Sequence, residues 1–306
     1  MLHVASLTAP LFLLVLLGFG LTQFRWPRSA SDALTRFVFS VAVPALLFRL
    51  MSDFSRLPPV DARLLLAYFG GCLVVYAIGR VAAFSLFRMD GVGQSVFAMG
   101  GIFANTVLLG IPLTKVTLGD AAMPAVSLVL VFNSLVLWTL VTVSVEWARH
   151  RDFSLSGLWR TTRGVIANPV VASILAGTAF GFTGLPLPGV IERTPAMVSD
   201  AAVPLSLIAL GMGLAGFDIR SGWRESIAIA LLKMIAQPLV VYGLARALAL
   251  PGLETAAIVL VAALPVGANV FLMARQFDAL SGPIASAIVL TTVVAAITTP
   301  VVLTLI

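Results

Sequence analysis

The sequence predicts an all-α polytopic membrane protein with ten transmembrane helices, built as a 5+5 inverted repeat in which helices 4 and 9 are broken and cross. Three observations carry this: a strongly apolar composition, ten separate apolar runs, and motifs that recur at one offset. Of 306 residues, 60% are hydrophobic and only 10% charged, with a mean hydropathy of +1.07. Soluble domains carry roughly 25% charged residues. At about 20 apolar residues per crossing, the chain holds about ten helices and little else.

The apolar runs fall at 4–24, 31–51, 62–84, 92–115, 122–147, 164–183, 195–216, 224–247, 253–274 and 282–305. The first has neither a basic leader nor a small-residue cleavage site and reads as a retained span. Residues 1–148 form the first five-helix half, 149–163 a loop, and 164–306 the second half. Arg and Lys in the connections divide 12 against 6 between the two sides, with Lys233 left inside a span. The positive-inside bias places the richer side, and the 149–163 loop, in the cytoplasm, with both termini outside.

Pro10 and Pro169 each precede a glycine by eight residues (Gly18 and Gly177), and Ala42-Val43-Pro44 recurs as Ala202-Val203-Pro204. The shared offset of 159 to 160 residues also carries Asn105 onto Pro265. Five spans per half, an odd number, require the halves to be inverted. Chance recurrence of residues common in membrane helices is the alternative.

Charge and composition exclude several functions. The net charge of +6 comes from basic residues scattered singly between apolar runs, which makes no nucleic-acid surface. One cysteine and two histidines outside the apolar runs supply no metal cluster, and no nucleotide-binding Gly-x-x-x-x-Gly-Lys-Ser/Thr motif occurs. No cofactor is expected; Na⁺ or H⁺ is the candidate coupling ion.

Span four reads Gly100-Gly101-Ile102-Phe103-Ala104-Asn105-Thr106 and continues to Gly110-Ile111-Pro112. Proline lacks a backbone donor and clashes with the preceding turn, so the helix is expected to break here. Span nine carries the counterpart, Leu264-Pro265-Val266-Gly267-Ala268-Asn269. Unwound backbone at membrane depth persists only where protein buries it or a watery cavity meets it, and paired breaks in corresponding helices point to a binding site. If the two cross, their half-helix N-termini present N–H groups suited to a carboxylate, with Asn105, Thr106 and Asn269 as neutral partners. A packing kink is the alternative for either break alone. Lys233 lies in the middle of span eight, where a buried ammonium implies either function, with Asp200 or a bound anion among its possible partners, or structural pairing to carbonyls or an Asp. Asn133 in span five either lines the site or bonds between helices. Lys115 and Asp120 read as a solvated loop pair.

At these residues the chain resembles the auxin efflux carrier family, which includes plant auxin carriers and bacterial malonate or malate transporters. Asn105-Thr106 followed by Gly110-Ile111-Pro112-Leu113 and Gly119-Asp120 is similar to the family's fourth-helix motif, and Ala263-Leu264-Pro265 with Gly267 is similar to its ninth-helix crossover. Val43-Pro44, Ser199-Asp200-Ala201 and Pro238 also match, so the resemblance spans the chain. It implies a scaffold of helices 1, 2, 6 and 7, a transport unit of helices 3–5 and 8–10, an elevator-type motion, and a homodimer formed through the scaffold. It also implies substrate contact at Asn105, Pro112, Pro265 and, approximately, Asn133. The third span lacks the acidic residue of plant members, so their aromatic-anion selectivity does not carry over. The loop of about 15 residues lacks the long plant insertion, as in a prokaryotic member.

The resulting expectation is a secondary transporter of a small organic anion, a mono- or dicarboxylate, in a bacterial inner membrane. Asn105, Thr106 and Asn269 would orient the carboxylate, and Lys233 would supply charge or, with Asp200, coupling. A sodium-coupled symporter of the bile-acid type and a membrane-embedded enzyme are the alternatives.

Overall fold

The computed structural model describes residues 2–24, 26–52, 61, 63–150, 169–185, 189–215 and 222–305. Most of the 149–163 loop, and with it the test of that boundary, lies outside them. The α-helices are α1 (Leu2–Gln23), α2 (Arg28–Phe37), α3 (Val43–Ser52), α4 (Arg63–Phe87), α5 (Gly91–Gly100), α6 (Ile111–Thr117) and α7 (Met123–His150). They continue as α8 (Pro169–Gly181), α9 (Gly189–Leu214), α10 (Trp223–Leu231), α11 (Gln237–Ala247), α12 (Gly252–Ala262), α13 (Ala268–Gln276) and α14 (Ser281–Leu305). No strand occurs among the described residues.

Among the described residues, six helical stretches are long and apolar enough to cross a membrane: Ser29–Arg49, Arg63–Phe87, Asp120–Arg149, Pro195–Leu214, Trp223–Ala247 and Ser281–Leu305. Four shorter apolar helices are Ala9–Gln23, Thr106–Thr117, Pro169–Gly181 and Gly252–Ala262. Each of the ten overlaps one apolar run of the sequence. The chain is therefore an all-helical, multi-pass membrane protein.

Three prolines inside these stretches share one local solution. A π turn over Val38–Ala42 precedes Pro44, one over Thr106–Gly110 precedes Pro112, and one over Leu232–Ala236 precedes Pro238. In each, the residue just before the proline donates back five positions: Val43 to Val38, Ile111 to Thr106 and Gln237 to Leu232. Widening the helix by one residue makes room for a ring that would otherwise strike the preceding turn. Pro112 therefore sits at the second position of α6 and does not itself interrupt span four. The interruption lies at 101–105, after the glycine pair.

Two helix pairings depend on missing side chains. α1 runs along α9, where a Cβ at Gly18 would overlap the Ile208 carbonyl oxygen and one at Gly211 that of Val15. α3 runs along α8, where a Cβ at Gly177 would stand 2.6 Å from the Phe48 carbonyl oxygen. Close backbone approach through small residues is the usual route to helix association in a membrane, because no hydrophobic drive remains once both faces are in lipid. α3 also meets α9, so α1, α3, α8 and α9 form one packed group. A second group has α4 against α5 and α11, α10 against α14, and α12 against α7 and α11. Lys115 and Asp120 pair at 3.1 Å as expected, but from the last turn of α6 and the start of a short 3-10 helix, Asp120–Ala122, and not from a loop.

Candidate functional site

Span four unwinds after α5 and rewinds at Thr106; span nine unwinds after α12 and rewinds at Ala268. The two unwound segments lie against each other in antiparallel contact at Ala104 and Val266. The Asn105 N–H donates to the Pro265 carbonyl and the Gly267 N–H to the Phe103 carbonyl, each at 2.9 Å. The Val266 N–H donates to Thr291 Oγ1 of α14 at 3.1 Å. These bonds replace the helical ones the breaks remove, as the low-dielectric surroundings require. A Cβ at Gly267 would stand 2.8 Å from the Ala104 carbonyl oxygen, so the crossing needs glycine there.

Polarity at the crossing follows from chain direction. The stretches that leave it, Thr106–Thr117 and α13, both begin there, and neither has a side chain capping its first N–H groups. Two positive dipole ends thus converge. The stretches that arrive, α5 and α12, bring carbonyl ends, and one helix supplies donors to both. Lys233, fully buried in the π turn between α10 and α11, donates through Nζ to the Ala262 carbonyl at 2.5 Å. Gln237, one turn on, donates through Nε2 to the Ile102 carbonyl at 2.8 Å and to Cys72 Sγ at 3.4 Å.

A cavity of about 460 Å³ opens beside the crossing. Asn105, Thr106, Asn133, Gly267 and Asn269 line it, as do Asp32, Thr35, Arg36, Phe39 and Ser40. Asn105, Thr106 and Asn133 are only 5%, 2% and 2% exposed. Yet Asn105 Nδ2, Thr106 Oγ1 and Asn133 Oδ1 have no hydrogen-bond partner. A buried polar atom left without a partner costs about 1–3 kcal/mol; three at one cavity wall mark a place where a polar ligand would complete the bonding.

Four of the residues singled out in the sequence, Asn105, Thr106, Asn133 and Asn269, thus meet at one cavity. Pro265 shapes the crossing through its carbonyl without lining the cavity, and neither Pro112 nor Lys233 lines it. Asp200 is exposed on α9, 3.7 Å from Arg49 Nη1, while Arg49 also donates to Ser199 Oγ at 3.3 Å. An exposed pair of this kind contributes about 0–1 kcal/mol and joins α3 to α9.

The charged wall of the cavity is what sequence reading passed over. Asp32, Thr35, Arg36, Phe39 and Ser40 follow one another at the i, i+3, i+4, i+7, i+8 spacing of a single helix face. Arg36 counts in the sequence as a charge in a connection, whereas it lies within the helical stretch Ser29–Arg49. The spacing was the available signal.

Comparison with known proteins finds membrane transporters. The family model described as Membrane transport protein matches residues 3–303. A relative from Rhizobium meliloti named "Putative malonate transporter" is 27% identical over 308 residues, covering 97% of this chain and 94% of the relative. Auxin efflux carrier component 8 of Arabidopsis thaliana is 23% identical over 334 residues, covering 90% of each. An uncharacterized transporter of Methanothermobacter thermautotrophicus is 24% identical, covering 94% of this chain and 93% of the relative.

Proposed function

We propose, on the premise that the chain belongs to the membrane transport protein family and is a multi-pass membrane transporter and not an enzyme, that its cargo is a small organic anion bound at the helix crossing. One observation carries the reading: Asn105, Thr106 and Asn133, which line the cavity, each hold a buried, unpartnered polar atom, and two half-helix N-termini converge there. Asn105 Nδ2, the Thr106 hydroxyl and the uncapped N–H groups of the two helix starts are donors fixed before the ligand arrives, and they suit a carboxylate, whereas Asn133 Oδ1 is an acceptor. The names of the malonate and auxin relatives point to the same class of cargo.

The mechanism we infer is secondary transport by an elevator motion in a bacterial inner membrane, with ten spans in two inverted halves. The repeat gains support from paired contacts: Gly177 lies 159 residues after Gly18, and Ile208, against which Gly18 packs, lies 160 after Phe48, against which Gly177 packs. α1, α2, α3, α8 and α9 would be the scaffold, dimerising with a second copy. The remaining helices would move with the crossing, to which Lys233 and Gln237 tie their span. The substrate cavity would then lie between the two bodies, walled by α2 on one side and the crossing on the other.

The test is uptake into proteoliposomes of radiolabelled carboxylates, with and without Na⁺ at fixed membrane potential. We expect saturable uptake of at least one small carboxylate. Uptake that requires Na⁺ would assign a sodium-coupled cycle, and Na⁺-independent uptake driven by a pH gradient a proton-coupled one. Absence of uptake or exchange for every carboxylate, from a protein that melts cooperatively, would overturn the anion reading.

A further inference from the structure

We infer that Arg36 is a specificity-determining residue: its guanidinium holds the second carboxylate of a dicarboxylate whose first carboxylate occupies the helix crossing. This rests on the crossing being a carboxylate site, as proposed above.

The cavity has two walls of different chemistry. The crossing offers neutral donors, Asn105, Thr106 and Asn269, together with half-helix N-termini. The α2 wall offers charge, and Arg36 is the cationic residue among the described lining residues. Arg36 forms no ion pair with any described residue, not even with Asp32 one turn away. An arginine facing a cavity without a carboxylate partner keeps its planar set of donors free for a bidentate anion.

Asp32 does not cancel that role, because of where it stands. It borders a second cavity of about 310 Å³, lined by Thr22, Gln23, Trp26, Ser31 and Met212, as well as the main one. It therefore marks the junction of the two spaces. Arg36 lies one helical turn, about 5–6 Å, farther along α2 and, of these two cavities, borders the main one alone. Ser40, a further turn on, continues the same face along the cavity.

A monocarboxylate can satisfy one wall and leaves the other solvated. A dicarboxylate satisfies both and bridges the two bodies between which the cavity lies. Two anion-binding walls on one cavity thus select by the number of carboxylates.

The experiment is calorimetric titration of the purified full-length protein with malonate and with acetate, for the wild type, Arg36→Gln and Arg36→Lys. The wild type is expected to bind malonate at least about tenfold more tightly than acetate. Arg36→Gln should lose at least about tenfold in malonate affinity with acetate affinity held within about twofold, and Arg36→Lys should recover part of the loss, since lysine keeps the charge but not the fork. Malonate binding by Arg36→Gln at wild-type strength, or an equal loss for both acids, would overturn the assignment. Wild-type protein that binds neither acid would overturn the crossing as a carboxylate site. Asn105-dependent binding of both acids that ignores Arg36 would overturn the role of Arg36 alone.

Discussion

Lys233→Met is expected to remove most transport while leaving a folded protein. The Lys233 side chain is fully buried and spends its donor on the Ala262 carbonyl, the C-terminal end of α12 just before span nine unwinds. Methionine fills a similar volume and removes the cost of burying an ammonium, so the helix bundle itself loses little. What is lost is the partner of a carbonyl at a helix end, worth about 1–3 kcal/mol when left buried and unpaired. That carbonyl lies three residues from Pro265, so the loss falls on the segment that fixes the crossing. Uptake in proteoliposomes should drop at least about tenfold, equivalent to about 1.4 kcal/mol, with the melting midpoint close to that of the wild type. Wild-type kinetics would confine Lys233 to packing.

The second large effect is expected at Asn105, and it has two readouts of opposite sign. Its backbone N–H holds the crossing together, while its side-chain Nδ2 is buried with no partner. Asn105→Ala keeps the first and deletes the second. Without ligand the variant should be as stable as the wild type or slightly more so, because an orphaned donor has been removed. With a carboxylate it should lose a hydrogen bond to a charged group, about 1.5–3 kcal/mol, which weakens binding about 10- to 150-fold. Thermal melting with and without the carboxylate reads both. A variant destabilised without ligand and unchanged in affinity would make Asn105 a structural residue.

Much of the architecture was legible because lipid is a demanding solvent: it admits helices and excludes charge, so apolar runs and their breaks report the helices directly. The crossing was legible for a related reason. Pro265 and the glycines at 100, 101 and 267 are costly inside a membrane helix unless unwound backbone is wanted. Pro112 misled because proline signals a missing donor, not where the chain accommodates it, and the π turn over Thr106–Gly110 absorbs the disturbance. Lys233 was legible as a buried cation with carbonyl pairing as one alternative, but which carbonyl accepts, that of Ala262 in another span, leaves no mark in a sequence. Arg36 was hidden because a positive charge near a span boundary is the ordinary signature of orientation. Only the helical spacing of its neighbours separates a cavity wall from a loop.

The central claim is that carboxylates bind in the cavity at the helix crossing. Its most direct test is chemical protection of a cysteine placed at Thr106, which lines that cavity, in a Cys72→Ser background that removes the chain's one native cysteine. The purified protein is treated with a small methanethiosulfonate reagent, with and without a carboxylate that raises the melting temperature. We predict that the thiol reacts from water and that saturating carboxylate slows the reaction at least about tenfold, as mass action requires of an occluded site. A reaction rate unchanged by a carboxylate that stabilises the same protein would place the anion elsewhere and contradict the account.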